Sequence, residues 1–87
     1  MKDFSDVERL FSELLARTGS ITTSAEQGTI KSYIDHKEYG LALETLVDIF
    51  VEEAKIPTDI VLSKVVALAN RMSMDPQPFL ERLRQIE

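Results

Sequence analysis

The chain has 87 residues, 44% of them hydrophobic and 29% charged, which fits one globular domain spanning 1–87 and excludes an intrinsically disordered tract. Ten Lys and Arg face fifteen Asp and Glu, a formal net charge of −5; such a chain is repelled by phosphate and by anionic lipid, which argues against a general nucleic-acid or membrane binder. There is no Cys, so disulfides, thiolate metal sites and thiol nucleophiles are ruled out and packing alone must hold the fold. A chain of 9.9 kDa is expected to leave roughly 5,200 Å² exposed. The N-terminus carries charges where a secretory signal needs an apolar run. The longest apolar run, Val65-Val66-Ala67-Leu68-Ala69, is too short to cross a bilayer. A soluble cytoplasmic protein is expected.

Apolar residues recur at helical spacing in five segments. Phe4, Val7, Leu10, Phe11, Leu14 and Leu15 form the first stripe, with Ser5 and Glu8 at capping-box spacing and Gly19 placed as a terminating glycine. Thr23 and Glu26 mark a second start, with Ile30, Tyr33 and Ile34 on the buried side, Gly28 weakening the segment and a turn at Asp35-His36-Lys37. A third helix is predicted from about Glu38 to Lys55, its stripe being Leu43, Leu46, Val47, Phe50 and Ala54, stopped by Pro57. Thr58 or Asp59 caps a fourth, with Val61, Val65, Leu68, Ala69 and Met72 inward. Asp75-Pro76 opens a fifth, followed by Phe79, Leu80, Leu83 and Ile86. The β-branched residues between Ile60 and Val66 suit a strand, but no second strand-like segment exists to pair with them. The expected fold is a small all-α bundle of four to five helices.

Little in the sequence supports catalysis. General acid–base or nucleophilic chemistry needs a positioned base beside a nucleophile or a second acid, and the single histidine, His36, falls in a polar turn. Glu52 and Glu53 are adjacent on a helix and point about 100° apart. Gly19, Gly28 and Gly40 are scattered and open no phosphate loop, and no Asp-rich spacing suits a metal; no cofactor is expected. Small acidic helical domains resemble acyl carriers, whose attachment serine usually follows Asp and precedes Leu at a helix start. Here Ser5 precedes Asp6, and Ser63 lies between Leu62 and Lys64 inside a helix. Lys64, Arg71, Arg82 and Arg84 lend the C-terminal half some positive charge, compatible with a helix-turn-helix reading of DNA but also with solvated faces and a favourable helix end.

The negative charge is concentrated. Between Glu38 and Asp59 lie six acids (Glu38, Glu44, Asp48, Glu52, Glu53, Asp59) and one base, Lys55; six against one equals the excess of the whole chain. Glu44, Asp48 and Glu52 are spaced i, i+4, i+8 and project from one side of the third helix, although like charges so placed cost a few tenths of a kcal/mol per pair. Leu41 falls among them by angular count, and Ile49 lies off the buried stripe. Either the third helix is covered on two sides, or these are apolar anchors within an acidic rim, the usual anatomy of a protein–protein site. The expected partner-binding set is therefore Glu44, Asp48, Glu52 and Asp59 as charge partners, with Leu41 and Ile49 as anchors.

The run Ile34-Asp35-His36-Lys37-Glu38-Tyr39-Gly40-Leu41-Ala42-Leu43-Glu44-Thr45-Leu46 resembles the central signature of MafI-type immunity proteins, in which an acid, an aromatic, Gly, Leu, Ala and a further acid begin a long middle helix. The helix from Ile60 to Met72 is also similar, so the resemblance spans Ile30 to Met72. It implies a cytoplasmic, all-α, non-enzymatic antitoxin that binds the C-terminal domain of a cognate secreted or contact-dependent growth-inhibition toxin, commonly a basic ribonuclease of the EndoU fold, and blocks it by occlusion. No catalytic residues come with the family. The resemblance further implies that Gly40 and Ala42 permit close helix approach and that Tyr39 packs in the core. Colicin-type nuclease immunity proteins are acidic helical domains of similar size, but their helix-loop motif is absent here and the likeness is analogy. The alternative from another class is a helical regulatory or adaptor domain binding a protein or DNA through its C-terminal helices.

Overall fold

The apolar stripes resolve into five α-helices in the computed structural model, which describes residues 4–86: α1 (Ser5–Arg17), α2 (Ser24–Asp35), α3 (Tyr39–Glu52), α4 (Asp59–Arg71) and α5 (Gln77–Arg84). Among the described residues there is no strand; the β-branched run at 60–66 is helical, within α4. The charged N-terminal residues Lys2 and Asp3, and the last residue of the 1–87 span, lie outside the described residues.

Local chemistry sets most helix starts. Thr23 accepts from the Glu26 amide at 3.1 Å while the Glu26 carboxylate accepts from the Thr23 amide at 2.8 Å, a complete capping box. Thr58 accepts from the Val61 amide at 3.3 Å, and the Asp75 carboxylate accepts from the Gln77 amide at 3.0 Å. α1 departs from expectation: its N-cap position is Phe4, whose side chain cannot accept, and Ser5 is already helical. The Glu8 carboxylate accepts instead from Tyr39 and Lys37, about thirty residues away.

Helix ends depart further. α2, α3 and α4 all finish in a left-handed residue that is not glycine: Lys37 at φ 61°, Ala54 at φ 51° and Ser73 at φ 58°. Each end carries the paired bonds of a Schellman motif. Glu38 N–H donates to the Tyr33 carbonyl at 2.8 Å, Lys55 N–H to Phe50 at 3.0 Å and Met74 N–H to Ala69 at 2.8 Å, each beside a bond from the preceding residue that spans only three positions. Gly19, expected to end α1 this way, does not have a positive φ. There the Thr18 hydroxyl donates to the Leu14 carbonyl at 3.0 Å, and the Thr22 hydroxyl to Thr18 at 3.0 Å, both buried. These bonds fold the chain after α1 without a left-handed residue. α3 stops three residues short of Lys55, and Ala54 is exposed rather than on the buried stripe.

α3 is the hub. It packs against α2 and against α5, while α1 lies on α4 and α4 also touches α5. Half of α3 is consequently buried: Tyr39, Ala42, Leu43, Leu46, Val47, Ile49 and Phe50. These join Phe11, Leu14, Ile30, Val65, Leu68 and Leu83 in one core. The exposed surface of 5335 Å² agrees with the size expectation, and the radius of gyration of 12.0 Å is that of a packed chain of this length. Among the described residues no helix is long and apolar enough to cross a membrane.

Candidate partner-binding surface

The solvent side of α3 carries Leu41, Glu44, Thr45, Asp48, Val51 and Glu52, opposite the arc that α2 and α5 cover. Four residues of helix rise about 6 Å, so Glu44, Asp48 and Glu52 form an acidic row roughly 12 Å long. Leu41, 46% exposed, lies on the same side of the helix, one turn before the row begins. Ile49 does not: it is only 5% exposed and belongs to the core. The two apolar residues thus divide between the two expectations. Coverage of α3 on both flanks widens its buried arc enough to take in Ile49, while Leu41 remains a surface residue.

The acids differ in their surroundings. Asp48 pairs with Arg82 of α5, so this charge is partly met from within. Among the described residues Glu38, Glu44, Glu52, Glu53 and Asp59 make no ion pair. Asp59 is exposed and sits apart from the row, in the first turn of α4, where the positive end of the helix dipole favours it. A shallow groove between α3 and α5 runs beside the row, lined by Glu44, Asp48, Met74, Pro78, Phe79 and Arg82, with a volume of about 470 Å³.

Sequence reasoning missed the apolar residues at the end of the row. Val51, Ile56 and Ile60 are 38%, 70% and 47% exposed. The signal was present: by angular count Val51 falls about 80° and Ile60 about 120° from the centre of their helix stripes, and Ile56 lies between a helix end and Pro57.

Charges elsewhere are largely met internally. Lys64 contacts Glu13 at 2.7 Å and Arg71 contacts Asp6 at 3.2 Å, joining α4 to α1. The hydrogen bond from Lys64 holds the Glu13 carboxyl below its ordinary value. Glu8 accepts from the Tyr39 hydroxyl at 2.7 Å and from Lys37 at 2.9 Å. Burial, then the Glu8 carboxylate, pushes the Tyr39 phenol up, and the bond to Glu8 raises Lys37. Tyr39 is in the core, beside Phe4 and Phe11. Gly40 is less constrained than the resemblance implies, since an added Cβ would sit at an ordinary 3.6 Å from Met74; Ala42 is fully buried. His36 is exposed, its Nδ1 2.7 Å from the Ser32 carbonyl.

No protein-family model, curated protein or solved structure matches this chain.

Proposed function

We propose that the protein is an immunity protein that neutralises the basic C-terminal domain of a cognate toxin by tight, stoichiometric binding, without chemistry of its own. The observation that carries this reading is electrostatic. Among the described residues five of the six mid-chain acids make no ion pair, and the row on α3 starts one turn beyond an exposed leucine, Leu41. A nuclease that grips an RNA backbone must present a cationic cleft, and an anionic helical face is suited to steer towards it and cover it. A contact of roughly 800 Å² would occupy about 15% of the 5335 Å² surface, a share that α3 and its flanks supply. The resemblance of residues 30–72 to MafI-type immunity proteins points to the same partner class, and a ribonuclease is the expected target.

The reading in which the C-terminal helices meet DNA loses most of its support, because three of its four cations are engaged: Arg71 with Asp6, Lys64 with Glu13, and Arg82 with Asp48, which leaves Arg84. The deciding experiment is co-expression with the C-terminal domain encoded by any toxin-like open reading frame that adjoins its gene. Growth should be rescued by this chain, and rescue should fall with the double variant Glu44→Lys, Glu52→Lys. Absence of rescue by the unaltered chain would overturn the reading; rescue by the double variant would remove the α3 row from it.

A further inference from the structure

We infer that the α3–α4 corner is the anchor point of this surface, taking an apolar side chain that projects from a cationic protein; the inference deepens the proposed function and rests on that reading for the identity of the partner. Three of the four large hydrophobic side chains exposed among the described residues, Val51, Ile56 and Ile60, lie within ten residues of one another there. From 51 to 60 every residue is exposed except the half-buried Pro57. Exposed large apolar side chains concentrated in one short segment among charged neighbours mark an interaction site more than scattered ones do.

Charge identifies the occupant. The rim holds Glu52, Glu53 and Asp59 against Lys55 alone. The helix dipole favours Asp59, but it opposes Glu52 and Glu53, which stand at the negative end of α3. α1, α4 and α5 each place arginine in the last turn, whereas α3, like α2, places no base there; of these two ends only that of α3 carries adjacent glutamates. The corner therefore combines helix-end carbonyl charge with two carboxylates against a single cation, Lys55, which makes no ion pair among the described residues; an arriving Lys or Arg relieves that arrangement. A second copy of this chain would press the same anionic rim against itself in a two-fold contact, and anionic lipid is repelled for the same reason. A cationic protein with a protruding apolar residue satisfies both halves of the surface.

The test is an NMR titration of the full chain at low salt with an amphipathic Lys/Leu peptide and, in parallel, oligolysine of equal charge. Shifts by the Lys/Leu peptide should concentrate on residues 51–60. Ile56→Ser, a change at an exposed position, should weaken that peptide about tenfold and leave oligolysine unaffected. Glu53→Lys should weaken both peptides while raising the melting temperature of the free protein by a few degrees. Shifts centred on Glu44 and Asp48 with 51–60 unmoved, or an indifferent Ile56→Ser variant, would overturn the inference. A dimer seen by sedimentation and abolished by Ile56→Ser would overturn it in favour of self-association. If the unaltered chain fails to rescue growth yet titrates as described, the immunity reading falls and the corner stands. If growth rescue by Ile56→Ser is undiminished, the corner falls and the reading stands.

Discussion

The carboxylates of α1 and those of α3 occupy opposite conditions in the same small protein. Asp6, Glu8 and Glu13 each meet a cation from another part of the chain, namely Arg71, Lys37 and Lys64, and those contacts join α1 to α4 and to the α2–α3 turn. Glu44, Glu52 and Glu53 meet none, and two of them stand where a helix end makes negative charge least welcome. Fold stability alone would favour interleaved lysines on α3, as on other solvated helices. What separates the two regions is where their charge is met: the acids of α1 pair with cations of other segments, whereas on α3 only Asp48 does so, with Arg82.

The largest expected contrast comes from removing one acid in each region. Glu8→Ala takes the acceptor from the part-buried Tyr39 hydroxyl, a loss of about 1 kcal/mol, read as a fall of about 4–8 °C in melting temperature. Glu44→Ala should lie within about 0.5 kcal/mol of the unaltered chain. Adding Tyr39→Phe to Glu8→Ala should recover part of the loss, because the orphaned hydroxyl is then gone. Equal effects at Glu8 and Glu44 in thermal denaturation would erase the distinction between the regions.

Helix ends sharpen the comparison at a smaller scale. Ala54 holds a left-handed φ of 51°, which costs an L-residue roughly 1 kcal/mol and glycine little. Ala54→Gly should stabilise by about 0.5–1 kcal/mol once the greater freedom of unfolded glycine is subtracted. Lys37 has the same backbone problem at φ 61°, but its ammonium also contacts Glu8 at 2.9 Å. Lys37→Gly should therefore gain less than Ala54→Gly in urea denaturation. An equal gain would mean that the Lys37–Glu8 contact contributes nothing.

Charge reversal on the row should be smaller again. Glu44→Lys replaces an i, i+4 repulsion with Asp48 by attraction, a gain of a few tenths of a kcal/mol that should shrink as salt screens it. Asp48→Lys should not gain in the same way, because it breaks the pair with Arg82. Matching gains at the two positions would show that the Asp48–Arg82 contact is without effect on stability.

Much of this architecture was legible because it follows from local chemistry. Thr23 with Glu26, Thr58, and Asp75 before Pro76 each announce a helix start, and the period-3.6 stripes name most of the core. What escaped depended on tertiary placement or on residues without a signal. Lysine, alanine and serine do not advertise a left-handed conformation, so the left-handed residues at three helix ends went unread, although the turn at Asp35-His36-Lys37 was placed, while Gly19, the obvious candidate, took no part. Burial of Ile49 required knowing that α2 and α5 both cover α3. The Asp48–Arg82 pair joins residues thirty-four positions apart. On the candidate surface the acids were visible from charge counting, whereas the apolar corner was visible only as Ile60 and Val51 falling off their stripes.

The smallest effects lie in the pH dependence, and they should separate the two regions without any reference to a partner. Glu13 is held below its ordinary 4.5 by Lys64, so its contribution is present above that value and is lost as acid protonates the folded carboxyl. The acid limb of the stability curve should flatten slightly in Lys64→Met. Tyr39 and Lys37 are raised above their ordinary 10.0 and 10.5. A raised group stabilises below its unfolded value and ceases to do so as pH climbs through the folded one, so stability should fall above about pH 10. Tyr39→Phe should remove the phenol's share of that fall and leave the share of Lys37. Glu44→Gln, on the open row, should leave the alkaline limb unmoved, since it touches neither group. A change in that limb would tie the α3 row to the Glu8 network and dissolve the division between the two regions.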